Sequence, residues 1–124
     1  MPKTSKATAS QVHVRDGIGE SRSEELDEYT VAFASYIADD DPEELFRGLP
    51  DDRCQCRHWG YVLKGKIMFR YRDRDETYEA GEAFYAPPGH TPVAFEGAEV
   101  LQFSPTHEMA KTAEVVRKNQ AASQ

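Results

Sequence analysis

Apolar and polar residues alternate along much of the chain after residue 28, the pattern of strands with one face buried. In residues 29–37, Tyr29, Val31, Phe33 and Ile37 fall on one face of an extended segment, and Ala32, Ala34 and Tyr36 on the other. Further strands are predicted at 53–63, 66–72, 77–79, 82–86, 91–95 and 99–103, separated by turn residues such as Asp73 to Asp75 and Gly81. Pro87-Pro88-Gly89 interrupts the run, because proline has no N–H to donate into a ladder. Two places switch to helix. Asp41-Pro42-Glu43-Glu44 supplies the cap, the proline and the early acids of one turn reaching Arg47, and Ser104-Pro105 opens a helix running to about Lys118.

Residues 1–25 are polar, with turn signals at Asp16-Gly17 and Gly19, and predict an N-terminal arm with one short strand at Val12 to Val14. The expected organisation is a polar arm (1–25), a β-barrel (26–104) and a C-terminal helix and tail (105–124). Short strands with turns between them indicate an all-β, antiparallel double-sheet sandwich or barrel. At 124 residues the chain suits one domain with one modest core.

Charge narrows the partners. With 22 acidic and 15 basic side chains the net charge is -7, so a phosphate backbone is repelled on average and nucleic acid is not expected. Arg70, Arg72 and Arg74 alternate with acids and read as a solvated hairpin. No apolar run approaches a membrane span, and the two early lysines are not followed by the apolar core of a secretory signal, so a cytoplasmic protein with no membrane partner is expected.

Cys54, Cys56 and His58 occupy alternate positions, which in an extended strand aims all three side chains at one face. The two cysteines are then about 6.6 Å apart at ~3.3 Å per residue, too far to bridge. Free thiols beside a histidine form a metal-ligand pattern, and His90 in Pro-Pro-Gly-His is a fourth candidate. Cysteines packed as small hydrophobes, and His90 as an ordinary hydrogen-bonded histidine, are the plainer alternatives. His13 and His107 have no such neighbours.

Tyr61-Val62-Leu63-Lys64-Gly65, and with more specificity Gly81-Glu82-Ala83-Phe84-Tyr85-Ala86-Pro87-Pro88-Gly89, carry a family resemblance. Residues 48–104 resemble a small single-domain cupin of the RmlC-like jelly-roll family. The first five residues are similar to the end of that family's first motif, and the longer run to the opening of its second. The resemblance implies a double-sheet jelly-roll barrel with its metal held between the two motifs.

Counting back from Gly65 puts His58 on the family's Glu position, Cys54 on the second His position and Asp52 on the first. A shortened hairpin would instead let Cys54 and Cys56 replace the His pair. In the second motif Pro92 stands at the His position, and His90 lies two residues earlier on the same face. The implied metal set is Cys54, Cys56, His58 and His90, with none of the usual four ligands unchanged. Thiolates favour zinc among divalent metals. Four protein ligands make a closed, structural ion; three leave a position for substrate.

Val62, Ile67, Phe69 and Tyr71 are expected to line a pocket for a small, partly apolar ligand, with Asp52 at its edge as a further ligand, a general base or an exposed acid. Trp59, Tyr61 and Leu63 face the other way and need cover from the N-terminal segment, the C-terminal helix or a second copy in a homodimer. Two functional classes stay open: a metal-dependent enzyme acting on a small organic substrate, and a non-catalytic binding or sensing module with structural zinc or no metal.

Overall fold

In the computed structural model, which describes residues 2–122, the chain forms β1 (Gln11–Arg15), β2 (Gly19–Leu26), β3 (Tyr29–Tyr36), β4 (His58–Lys64), β5 (Lys66–Tyr71), β6 (Asp75–Glu79), β7 (Ala83–Ala86), β8 (His90–Ala94), β9 (Glu99–Pro105) and α1 (Thr106–Ala122). A 3-10 turn at Glu43–Phe46 matches the helical turn expected after Asp41, and a second follows at Pro50–Asp52. The strands make a six-stranded sheet in the order β1-β2-β3-β9-β4-β7 and a three-stranded sheet in the order β6-β5-β8. All paired strands run antiparallel. The double-sheet jelly roll is present, as two sheets that do not close into a barrel.

The period-two pattern explains the core. Val62, Phe84, Ala86 and Val100 from the larger sheet meet Ile67, Phe69, Tyr71 and Ala94 from the smaller one, all buried. A second buried group, Phe46, Leu49, Cys54 and Cys56, packs against Met109, Val115 and Val116 of α1. The helix therefore closes one end of the space between the sheets. The Arg57 guanidinium clasps it to the sheet by a bidentate pair with Glu108, Nη2 to Oε2 at 2.6 Å.

Three expectations are corrected. Residues 11–26, read as a polar arm with one short strand, hold β1 and β2, paired in register with each other and with β3. The predicted strand 53–63 begins only at His58, because Cys54 is drawn aside to pair with His90. Ser104 does not cap a helix: β9 runs through Pro105, α1 starts at Thr106, and Ser104 is buried.

Gly60 is required by close packing. A Cβ there would overlap the Phe84 ring and lie 2.7 Å from the Leu101 carbonyl oxygen. Gly60→Ala is expected to lower stability by about 1–3 kcal/mol, since neither a core ring nor a strand carbonyl can step aside cheaply. Thermal unfolding of the variant checks this, and an unchanged midpoint contradicts it.

Candidate metal centre

Backbone hydrogen bonds bring the donors together. Cys54 N–H donates to the His90 carbonyl at 2.8 Å, and Gly89 N–H donates to the Cys54 carbonyl at 2.9 Å. This joins the segment before β4 to the start of β8, in the other sheet. Beside it, His58 on β4 is paired with Ala86 of β7. One donor atom from each of Cys54, His58 and His90 then lies within 4.8 Å of the others, and all three residues are buried.

The environment of each donor follows from its partners. His90 Nδ1 sits 2.8 Å from the Pro87 carbonyl oxygen, which only accepts, so Nδ1 carries the proton and Nε2 the lone pair. That Nε2 is buried with no hydrogen-bond partner among the described residues. His58 places Nε2 3.7 Å from Cys54 Sγ and Nδ1 2.7 Å from Ser104 Oγ, with Gln102 Nε2 at 3.2 Å. Cys54 Sγ also meets Thr112 Oγ1 of α1 at 3.4 Å.

Burial pushes His58 down to about 3, helped by the charge His90 would carry, and His90 down to about 4 against the pull of the Pro87 carbonyl. Burial likewise raises the Cys54 thiol. At neutral pH the cluster is two neutral imidazoles and a protonated thiol. It carries no charge and keeps lone pairs available.

The remaining candidates fall elsewhere. Cys56 is turned toward α1, its Sγ 3.3 Å from the Arg57 carbonyl and 3.8 Å from Met109 Sδ, and burial raises its thiol to about 12. It stands outside the cluster, packed with Phe46 and Leu49 against Met109 of α1. Asp52 lies at the surface, its Oδ1 accepting from Gly48 N–H.

Next to the donors is a cavity of about 280 Å³, walled by Ile67 and Phe69 and by Met109, Thr112 and Val116 of α1. Val62 and Tyr71 are buried in the core but do not line it. Tyr71 acts one step back, its hydroxyl donating at 3.0 Å to the same Pro87 carbonyl that fixes the His90 tautomer. Ser104, Gln102 and Thr112 were hidden in the sequence, since no local pattern marks a polar side chain as the partner of a histidine or thiol distant in the chain.

No family model and no curated protein matches the sequence. Among solved structures, the chain is similar to a deletion mutant of the Bacillus subtilis oxalate decarboxylase OxdC, with TM-score 0.57 and 15% identity over 82% of this chain and 28% of that one. A Rhizobium leguminosarum protein of unknown function gives TM-score 0.53 and 18% identity over 84% and 94% of the two chains. KdgF from a Halomonas species gives 0.51 and 15% over 77% and 86%. The chain has the cupin fold. At these identities the fold is what is shared; the cupin structures it resembles include an enzyme, the decarboxylase. No helix among the described residues is long and apolar enough to cross a membrane.

The buried histidines make stability pH-dependent with a definite sign. Unfolded, both take up protons below the ordinary 6.5; folded, they stay neutral down to about 4 and about 3. The unfolded chain therefore binds more protons in that window, and stability falls as pH drops from 6.5 towards 4. Urea unfolding of chelator-treated protein at about pH 7, 5.5 and 4.5 should show this fall, and a shallower one for His90→Gln. Equal slopes for the two proteins contradict it.

Proposed function

We propose that this cupin holds a divalent metal ion on Cys54, His58 and His90, and that the ion faces a small-molecule pocket. The observation that carries this is the His90 Nε2 lone pair, buried, unpaired and within reach of a thiol and a second imidazole. An apolar core has no use for an orphaned acceptor, which costs about 1–3 kcal/mol.

The donor set fits zinc by softness and size. Zinc bonds of about 2.0–2.1 Å to nitrogen and 2.3 Å to sulfur put tetrahedral ligands about 3.5 Å apart. The Cys54 Sγ to His58 Nε2 distance is 3.7 Å. Binding requires His58 to carry its proton on Nδ1, with Ser104 Oγ accepting it at 2.7 Å and the Gln102 amide, whose Nε2 lies 3.2 Å away, turned to present its oxygen instead. Pro87, held by Tyr71, does the same for His90.

With three protein ligands and an adjoining cavity, the arrangement favours chemistry on a small organic molecule over a closed structural ion. Bound there, zinc would supply Lewis acidity to a substrate oxygen. Phe69 packs edge-on to His90 at 4.8 Å and keeps water from its ring, while Thr112 and Met109 wall the donor set from the helix side. The non-catalytic module remains the second class, favoured if the ion proves unable to exchange a ligand.

Metal analysis of protein purified without a histidine tag or chelator tests the assignment. Wild type is expected to carry about one zinc per chain, His90→Ala and Cys54→Ser to lose it, and Cys56→Ser to keep it with the fold intact. A metal-free wild type sinks the proposal, and zinc lost from Cys56→Ser restores the four-ligand set.

We further infer a homodimer formed through the outer face of the larger sheet. Tyr29, Trp59, Tyr61, Leu63, Tyr85 and Phe103 stay 36–45% exposed across four neighbouring strands. Trp59 registers with Phe103 on one side and Tyr85 on the other. Neither β1 and β2 nor α1 covers these rings, which leaves an aromatic strip of the kind a second copy buries. Sedimentation should give a dimer for wild type and a folded monomer for Trp59→Glu; a monomeric wild type at micromolar concentration overturns the dimer.

A further inference from the structure

The cavity has a second polar end that the metal reading leaves unused. Arg15, Gly19 and Tyr36 register side by side across β1, β2 and β3. Thr30, which pairs with Ser104 beside His58, lies six residues earlier on β3, so the two ends stand about 20 Å apart along the strand at ~3.3 Å per residue. Arg15, Tyr36 and Asp40 line the same cavity as Cys54, His58 and His90. Ala32, Ala34, Ile67 and Phe69 form apolar wall.

The polar end is built, and its charges are not equally available. Asp40 is pinned by paired backbone hydrogen bonds with Ala94, both 2.9 Å. Its carboxylate, 10% exposed, takes Arg15 Nη1 at 2.6 Å. Arg15 is 36% exposed, and this contact uses one of its five N–H groups. Asp40 thus fixes the guanidinium and leaves much of its donor fork open. The Tyr36 hydroxyl makes no hydrogen bond among the described residues. Burial raises its pKa, so at neutral pH it remains a donor. Two unsatisfied donors, one cationic, thus share the cavity end.

Resting on the metal-and-pocket function proposed above, we propose that the site takes an elongated, mostly apolar organic acid, its carboxylate received by Arg15 and Tyr36 and its other end directed at the Cys54, His58 and His90 cluster. A planar carboxylate matches the guanidinium fork, and an Arg held in place by Asp40 favours it over an alcohol of equal length. The cavity of about 280 Å³ is of the size that takes a small organic acid. An eight-carbon carboxylate anchored at Arg15 extends along the apolar wall towards the donor cluster without spanning the whole distance.

Calorimetric titration of purified protein with octanoate, 1-octanol and octylamine tests this, with the zinc content of each sample measured alongside. Octanoate is expected to bind at least about tenfold more tightly than octanol, the scale of a charged hydrogen bond. Arg15→Gln should erase that preference while leaving octanol unchanged, and Tyr36→Phe should weaken octanoate alone. Both variants sit at the cavity margin, and matching thermal melts establish that they fold.

Octanol or octylamine binding as well as octanoate overturns the acid site. So does an octanoate preference that survives Arg15→Gln, since the carboxylate is then held elsewhere, at the metal end for example. Zinc-loaded protein that ignores all three probes overturns this inference and leaves the metal centre standing. Metal-free protein that still prefers octanoate through Arg15 does the reverse.

Discussion

Everything chemical in this molecule depends on the backbone pairing of Cys54 with Gly89 and His90. His58 belongs to the larger sheet and His90 to the smaller one, and sheets that pack face to face stand ~10 Å apart. Lacing residue 54 onto the start of β8 pulls the two sheets together at one end and sets a thiol between two imidazoles. Pro87 and Pro88 contribute through what they lack. Without N–H groups they cannot extend the ladder from β7, and the Pro87 carbonyl is left free for Tyr71 and His90.

Much of the fold was legible because most buried strands obey a two-residue period. Val62, Ile67, Phe69 and Tyr71 all fall inward, while Trp59, Tyr61 and Leu63 fall outward. Strand β2 was not legible, because Gly-Glu-Ser-Arg-Ser-Glu-Glu-Leu shows no apolar face. It is held by ladder bonds and local pairs such as Arg22 with Glu20, which no hydropathy pattern records.

The donor cluster was legible by half. Cys54, His58 and His90 stand out by chemistry, but placing Cys56 with them assumed an unbroken strand. Residues 55–57 belong to no strand, and Cys56 packs against the helix instead. Ser104-Pro105 misled for a related reason. The same two residues serve as a helix start or as the end of a strand, and here they pair with Thr30 and Tyr29 of β3.

Helix α1 has a consequence beyond closing the core. It supplies Met109, Thr112 and Val116 to the cavity, yet the clasp between Arg57 and Glu108, which holds the Glu108 carboxyl down to about 2, lies partly in solvent. The dryness of the donor cluster is thus guarded by a contact that water and salt can reach. Sheets and helix, separable as lengths of sequence, make a single compartment as far as the chemistry is concerned.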